Sequence, residues 1–233
     1  MFREIGRKKV ITDFLLILRF NCLMYMIETI KKYFPQLTEE QTVRFELLMK
    51  ELPEWNAKIN VISRKDIENL EINHILHSLA IAKFLKFAPR SRVLDFGTGG
   101  GIPGIPLAIL FPDVKFHLID RIGKKTRVAE EVAKALGLKN VTVQKGDIGE
   151  CHETFDFVVS RGVTDFPEIL KLVRKNVDRK HQINALPNGV IALKGGELGS
   201  ELGGIKIPYE TVDIAGYFSE PFFETKKLVY AGV

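Results

Sequence analysis

Alternating glycines follow a carboxylate at the end of a short apolar run, in the segment Val93–Gly104 (VLDFGTGGGIPG). The apolar run predicts a buried strand that Asp95 closes, and the apolar residues after the glycines predict a helix. Gly97, Gly99 and Gly101 lie between the two. Because glycine has no Cβ, such a turn can take positive φ angles and approach a ligand closely. The unpaired N–H groups of the helix start would face the same ligand, so this stretch predicts a ligand-binding cradle.

The glycine turn fits the patterns of two nucleotide-like ligands. Residues 99–104 match G-x-G-x-x-G, the dinucleotide fingerprint, and residues 95–101 match the D-x-G-x-G-x-G turn of S-adenosylmethionine methyltransferases. The second pattern also accounts for Asp95 and Gly97. Asp120 ends the next predicted strand and can accept hydrogen bonds from ribose hydroxyls of either ligand, so it does not discriminate between them. A tight turn without a ligand is the remaining alternative.

The composition places the chain among ordinary globular proteins. It has 233 residues, of which 45% are hydrophobic and 27% charged, and 34 basic residues against 29 acidic ones give a formal net charge of +5. This charge is compatible with an RNA partner. Two cysteines, Cys22 and Cys151, give no disulfide framework and no metal-ligand spacing. We therefore expect a reduced, cytoplasmic setting and no metal site. Separately, we expect the protein to be a monomer.

Residues 1–25 form a segment of their own. An apolar stretch, Phe14–Leu18, follows three basic residues, but Arg19 and Asn21 interrupt it and no small-residue cleavage site follows, unlike in a signal peptide. The stretch is also too short to span a bilayer, so no membrane association is predicted. Two alternatives stay open: an upstream extension of the reading frame, or an extra helix packed on the body.

Residues 26–90 predict a helical subdomain ahead of an α/β domain at residues 91–233. A capping box from Thr38 to Gln41 starts a helix that is expected to run to about Leu52, break at Pro53 and resume. The predicted helices are Met26–Phe34, Thr38–Leu52, Trp55–Ile59 and Ile72–Phe87.

From Arg92 onward, predicted strands and helices alternate, which implies a mostly parallel, doubly wound sheet. The predicted strands are Arg92–Phe96, Lys115–Asp120, Val141–Gln144, Phe155–Ser160, Gly189–Lys194, Tyr209–Ile214 and Lys226–Tyr230, and the helices between them are Ile102–Phe111, Lys124–Leu136 and Phe166–Val177. No long helix separates the last two strands, so we expect an antiparallel hairpin at one edge. A Rossmann-like seven-stranded sheet of this kind is typical of class I methyltransferases.

Several segments resemble one family in their order and spacing. They are NVISRKD (60–66), HILHSL (74–79), DFGTGGGIPGIPLAI (95–109), LID with GKK (118–125), VSRG (159–162) and ALKG (192–195). Together they resemble glucose-inhibited division protein B, the family of bacterial small-subunit rRNA guanine-N7 methyltransferases. The resemblance runs from Met26 to the C-terminus, and NALPNG (184–189) and FFETKKLVY (222–230) are similar to its Bacteroidetes branch. Two positions depart from the family: His77 stands where Asp is usual, and Asp147-Ile148-Gly149 replaces Arg-x-Glu.

The resemblance implies methyl transfer from S-adenosylmethionine to N7 of a guanine in 16S rRNA of the small ribosomal subunit, the family target being guanine 527 in the 530 loop. Guanine N7 carries a lone pair and no proton, so no general base is required and no catalytic residue is assigned; rate comes mainly from alignment. The alternatives are a methyltransferase for another RNA or small molecule, a non-catalytic cofactor-binding ribosome-assembly factor, and a dinucleotide oxidoreductase.

The candidate site residues follow from the resemblance and from the chemistry of the ligand. By resemblance, the cofactor contacts are Gly97, Ile102, Ile148, Gly149 and Arg161. The glycine turn adds Asp95, Thr98, Gly99 and Gly101; chemistry adds Asp120 for the ribose and Asp147 for the adenine amine. The candidate substrate contacts are Arg64, His74, Arg161 and Lys194.

Three of the substrate candidates have competing interpretations. Arg161 is expected to contact the cofactor carboxylate or an RNA phosphate, or else to form a surface ion pair. Lys194 contacts phosphate or is a solvated lysine. His74 and His77 lie three residues apart and serve as contacts between helix and body, as RNA contacts, or as half of a metal site.

Overall fold

The computed structural model describes residues 27–233, so the predictions for residues 1–25 and the predicted helix start at Met26 lie outside the described residues. Its seven strands are β1 (Arg92–Phe96), β2 (Lys115–Asp120), β3 (Val141–Lys145), β4 (Phe157–Arg161), β5 (Gly189–Gly195), β6 (Glu210–Asp213) and β7 (Lys226–Gly232). Its α-helices are α1 (Glu28–Tyr33), α2 (Glu39–Lys58), α3 (His77–Phe84), α4 (Gly104–Leu110), α5 (Gly123–Ala135), α6 (Phe166–Val173) and α7 (Gly199–Leu202).

All seven strands form one sheet in the order β3-β2-β1-β4-β5-β7-β6. Strands β1 to β5 are parallel, and β7 runs antiparallel to both β5 and β6. This confirms the predicted seven-stranded, mostly parallel sheet with an antiparallel edge. The strand order reverses between β1 and β4, and open α/β sheets bind ligands at the carboxyl ends of the strands at such a switch point.

The central strands are apolar on both sides because each face of the sheet carries a core. Val93 of β1 lies in the core on the face covered by α2, α4 and α5, together with Phe157 and Ile191. Its neighbour Leu94 lies in the core on the opposite face with Val158. Alternate side chains of a strand point to opposite faces, so a continuous apolar run is what a doubly covered parallel strand requires.

Helix α2 runs through Pro53 without a break, so the predicted interruption is wrong. The capping box of Thr38 and Gln41 starts the helix as predicted. A proline inside a helix costs about 3 kcal/mol or more. Phe45, Leu48 and nearby apolar residues of α2 are fully buried, and each such side chain contributes about 1.5–3 kcal/mol. The free energy gained by burying these side chains therefore exceeds the cost of Pro53 within the helix.

The predicted helix Ile72–Phe87 is two different segments. Residues Glu71–Leu76 form a π-helical turn, and α3 follows directly. The Glu71 carboxylate accepts hydrogen bonds from the Ile30 backbone N–H at 3.0 Å and from the Thr29 hydroxyl at 2.9 Å, which fixes the start of this turn. π-helical turns recur at functional sites, and this one carries His74.

Smaller boundary differences have local causes. Helix α4 begins at Gly104 rather than at Ile102, because the Gly104 N–H is bonded to the Asp95 side chain. Strand β4 begins at Phe157, since Phe155 instead pairs with Val177, a residue beyond the end of α6, in an isolated bridge.

The division into a helical subdomain and an α/β domain stays a prediction. Among residues 27–233, no helix has the length and apolar character needed to cross a membrane.

Candidate active site

The glycine loop has the backbone conformation that its sequence predicts. Gly97, Gly99 and Gly101 have φ angles of 71°, 56° and 100°, which residues with a Cβ rarely adopt. A Cβ on Gly97 would stand 2.3 Å from Cγ2 of Val163, whereas a Cβ on Gly99 would meet nothing within 4 Å. The space beside Gly99 is therefore open, whereas the Val163 side chain packs directly against Gly97.

Asp95 lies behind the loop and holds both of its ends. Its side chain is fully buried, and Oδ2 accepts hydrogen bonds from the Thr98 hydroxyl at 2.6 Å and the Gly104 N–H at 2.7 Å. Burial raises the pKa of Asp95 to about 7, against the opposing effect of these hydrogen bonds and of the Arg161 charge. Asp95 thus fixes the conformation of the loop through buried hydrogen bonds and does not line either of the cavities described below.

Asp120 ties the end of β2 to the same loop. Its Oδ2 accepts a hydrogen bond from the Gly99 N–H at 2.9 Å, and its Oδ1 accepts one from the Ile122 N–H at 2.8 Å. Each carboxylate oxygen can accept a further hydrogen bond. Asp120 can therefore bind ligand hydroxyls while it holds the loop.

Two cavities open at the carboxyl ends of the strands. The first, here called the β2 cavity, has a volume of about 540 Å³ and is lined by Ile119, Asp120, Asp147, Ile148, Val163 and Leu172, among others. The second, the β5 cavity, has a volume of about 450 Å³ and is lined by Asp66, His74, Thr98, Arg161, Lys194 and Phe222, among others. Gly97, Lys125 and Gly162 line both, so the cavities are neighbours that share a wall.

Most of the predicted site residues line one of these cavities. Asp120, Asp147 and Ile148 line the β2 cavity, and Gly97 lines both. Thr98, Gly99, Ile102, His74, Arg161 and Lys194 line the β5 cavity. Four predicted residues do not line either cavity: Asp95, Gly101, Gly149 and Arg64. Gly149 lies close to Asp147: the Gly149 N–H donates a hydrogen bond of 2.8 Å to Oδ1 of Asp147.

Arg161 joins the end of β4 to the π-helical turn. Its Nη1 donates to the Asn73 carbonyl oxygen at 3.1 Å, and its Nη2 donates to Nδ1 of His74 at 2.7 Å. Burial lowers the pKa of Arg161 to about 10, opposed by the charges of Asp95 and Asp66, so it stays charged at neutral pH. Its contacts are a carbonyl and an imidazole in the interior, which makes the surface ion-pair interpretation wrong.

The two histidines of this segment are buried and neutral. Burial, followed by the charge of Arg161, lowers the pKa of His74 to about 4. The pKa of His77 lies well below its ordinary value for the same two reasons. The His77 ring contacts Phe222 and Phe223 edge-on, with centroids 5.6 and 6.0 Å away. His77 is thus a contact between helix and body, as one interpretation predicted. The described part of the chain contains no group of three potential metal ligands.

Lys194 is neither solvated nor free. Its Nζ lies 2.7 Å from Oε1 of Glu201 and 2.8 Å from the Thr164 carbonyl oxygen, and only 12% of its side chain is exposed. The same Glu201 oxygen accepts the Phe166 N–H at 2.7 Å. Lys194 and Glu201 therefore clamp both sides of the loop between β4 and α6, which carries Gly162 and Val163.

Sequence reasoning missed several residues of the site. Glu201 and Val163 carry no motif and are positioned only by the folded chain. Phe222 and Lys226 line the β5 cavity and belong to a segment noted only for its family likeness. Asp66 lines the cavity, whereas Arg64, two residues earlier, does not. The signal for Asp66 was its place in the NVISRKD motif.

The seven-stranded sheet, with its switch point at the glycine loop and its antiparallel β7 near one edge, has the fold of the class I, S-adenosylmethionine-dependent methyltransferases. The fold agrees with solved structures at low sequence identity. M. jannaschii TYW2 in complex with AdoMet gives a TM-score of 0.51 at 18% identity, over 75% of this chain and 78% of that one. Precorrin-6y C5,15-methyltransferase from Geobacter metallireducens gives 0.50 at 12% identity, over 75% and 93%.

Sequence comparison identifies the family. The sequence model described as GidB, rRNA small subunit methyltransferase G, matches residues 41–202, and the chain belongs to this family. It is 56% identical to ribosomal RNA small subunit methyltransferase G of Bacteroides thetaiotaomicron, over 89% of this chain and 100% of that protein. It is 53% identical to the protein of the same name from Porphyromonas gingivalis, over 87% and 92%. The resemblance drawn from the motifs is confirmed, and the dinucleotide oxidoreductase is excluded.

Proposed function

We propose that this protein transfers a methyl group from S-adenosylmethionine to N7 of a guanine in the 16S rRNA of the small ribosomal subunit, with guanine 527 of the 530 loop as the target. Membership of the family supports the assignment of an rRNA methyltransferase activity. The structural observation that carries the proposal is the pair of cavities with a common wall at Gly97 and Gly162. One cavity suits a nucleoside cofactor and the other suits a base.

The β2 cavity fits the adenosine part of the cofactor. Asp120 presents acceptors for the ribose hydroxyls at the end of β2, and Asp147 presents one for the adenine amine. The apolar side chains of Ile119, Ile148 and Leu172 suit the faces of a planar ring. When bound, S-adenosylmethionine supplies an electrophilic methyl group on a positively charged sulfur.

The β5 cavity fits an RNA base and its phosphate. Arg161 and the lysines Lys125 and Lys226 line it, against one carboxylate, that of Asp66. An excess of positive charge attracts a polyanion. His74 and His77 are neutral at physiological pH because of their low pKa values. The cavity walls can therefore hold a base in line with the β2 cavity, and N7 methylation requires no more than this alignment.

The substrate is tested by methyl transfer from labelled S-adenosylmethionine to ribosomal subunits from a strain that lacks this gene. We expect label in the small subunit and none in the large subunit. Label confined to another RNA or to small molecules would show that the small-subunit rRNA is not the substrate. Tight binding of S-adenosylhomocysteine without any transfer would favour the assembly-factor alternative. We further propose that the protein acts in the cytoplasm, where the small ribosomal subunit is assembled. We also propose that it acts as a monomer and needs no metal ion.

A further inference from the structure

The segment 171–181 carries most of the excess positive charge of this protein. It contains five basic residues and one acidic residue, and so contributes four of the five net positive charges of the whole chain. The basic side chains, all of them exposed, are those of Lys171, Arg174, Lys175, Arg179 and Lys180. None of these residues lines either cavity of the site. Charge of one sign at such density attracts a partner of the opposite sign.

Most of these charges meet at one concave surface, here called the α6 basic surface. It has a volume of about 660 Å³ and is lined by Thr154, Arg174, Lys175, Val177, Asp178, Arg179, Lys180 and His181. The cations therefore come from the end of α6 and from the turn that follows it, and they face a common space.

The fold holds this turn in a defined conformation. Val177 is buried and pairs with Phe155 in the bridge ahead of β4. Oδ1 of Asp178 accepts the backbone N–H groups of Lys180 at 2.8 Å and of His181 at 3.3 Å, and Oδ2 lies 3.1 Å from Nδ1 of His181. The acidic side chain of the segment is thus used within the turn.

Two local explanations do not account for the cluster. Basic residues in the last turn of a helix stabilise its dipole, and Arg174 and Lys175 follow α6 directly. Arg179 and Lys180 lie beyond that turn, so the dipole does not explain them. Within the described residues, no ion pair includes Arg174, Arg179 or Lys180. These three charges are therefore available to a partner.

The position of the surface shows the size of partner it requires. The turn is bonded to the chain just before β4, where the Asp178 N–H donates to the Phe155 carbonyl oxygen at 2.8 Å. The β5 cavity opens at the other end of β4, at Arg161. Six residues of extended chain separate these ends by about 20 Å. A base or a cofactor bound in the cavities does not extend so far, so the partner is a macromolecule.

We propose that the α6 basic surface binds the phosphate backbone of a double-stranded segment of 16S rRNA, away from the target guanine, and so positions the enzyme on the small subunit. This inference rests on the proposed function, because it takes that rRNA as the partner. The residues that line the surface include no Phe, Tyr or Trp on which unpaired bases could stack. Arg and Lys side chains supply the charge and the donors that phosphates require.

The test removes three charges from the surface and three from elsewhere. The surface variant combines Arg174→Gln, Arg179→Gln and Lys180→Gln. The control variant combines Lys50→Gln, Lys134→Gln and Lys139→Gln, which are exposed lysines on or next to α2 and α5, on the other face of the sheet. Both variants lose the same net charge, so a difference between them reports where the RNA lies.

Binding to protein-free 16S rRNA is measured by filter binding over a series of salt concentrations. The logarithm of the association constant falls linearly with the logarithm of the salt concentration, by about 0.7–0.9 for each phosphate contact. For the surface variant we expect this slope to become shallower by about 2–3, whereas the control variant should keep the wild-type slope. With small subunits as substrate, the surface variant should show a higher KM and an unchanged kcat, because the contact is made equally in the ground state and the transition state.

Binding of S-adenosylhomocysteine reports whether each variant is folded. If the surface variant fails to bind it, Arg179→Gln with Lys180→Gln replaces it, and the slope should then change by about 1.5. Equal slopes in the surface and control variants would overturn the inference. A weaker affinity for small subunits without any loss on protein-free rRNA would also overturn it, because the partner would then be an acidic protein. Failure of the wild type to methylate guanine N7, with the difference in rRNA binding preserved, would overturn the proposed function and support the surface.

Discussion

The carboxylate of Asp95 accepts a hydrogen bond of 2.7 Å from the backbone N–H of Gly104, nine residues further along the chain. This bond closes the glycine loop between the end of β1 and the start of α4. The acidic residue that opens the loop motif therefore acts on the cofactor site through the backbone.

Replacing Asp95 by Ala should weaken cofactor binding although Asp95 does not line a cavity. The substitution leaves the Thr98 hydroxyl and the Gly104 N–H without their acceptor, at about 1–3 kcal/mol for each buried donor. We expect a lower free energy of unfolding and weaker S-adenosylhomocysteine binding by calorimetry. Asp95→Asn keeps one acceptor oxygen and should lose less. Equal losses in the two variants would contradict the assigned role.

Replacing Gly97 by Ala should reduce S-adenosylhomocysteine affinity at least about tenfold, because a left-handed φ costs an L-residue about 1–2 kcal/mol and the Cβ also strikes Val163. The double variant with Val163→Ala removes the clash but not the φ penalty, so titration calorimetry should show partial recovery. Gly216→Ala is the control, since a Cβ there meets nothing and its φ is not positive. No recovery in the double variant would show that Val163 does not cover this glycine.

Replacing Lys194 by Met should raise the KM for the cofactor several-fold without a contact to the cofactor. The ammonium holds the Thr164 carbonyl and Glu201, which fix the loop that carries Gly162 and Val163. The substitution also leaves the half-buried Glu201 carboxylate without the cation that neutralises it. Lys227→Met is the matched control, because Lys227 pairs with the exposed Asp213 away from both cavities. An unchanged cofactor KM in Lys194→Met would refute the clamp.

His77 should make the protein less stable in acid. The unfolded chain binds a proton at the ordinary histidine pKa of 6.5, whereas burial keeps the folded pKa far below it. The contribution of His77 is therefore fully present above pH 6.5 and is lost as the pH falls towards the lowered folded pKa. Between pH 7.5 and pH 5 the wild type should lose about 2 kcal/mol more than His77→Phe. Urea unfolding at the two pH values measures this difference, and parallel losses in both proteins would contradict it.

The sheet could be predicted from the sequence because its strands are short apolar runs bounded by turn residues. The bounds of β1 and β2 match the prediction to the residue. The helical region was less predictable. Pro53 predicts a break that the buried face of α2 overrides, and nothing in Glu71–Leu76 distinguishes a π-helical turn from an α-helix.

The candidate site was predictable where backbone conformation dictates the residue type. Positive φ angles require the glycines of the loop, and these were predicted. The inward orientation of Asp95 depends on the Gly104 N–H, and the partner of Lys194 comes from α7. Such contacts arise only when distant segments meet, so the sequence identified these residues but not what they touch.

The most direct test of the central claim maps the methylated atom. The protein, S-adenosylmethionine and small subunits lacking the modification are incubated together, and the 16S rRNA is then reduced and cleaved with aniline, which breaks the chain at N7-methylguanosine. We predict one enzyme-dependent cleavage, at guanine 527 of the 530 loop. Methyl incorporation without cleavage would place the methyl group on another atom, and cleavage at a different guanine would contradict the proposed target.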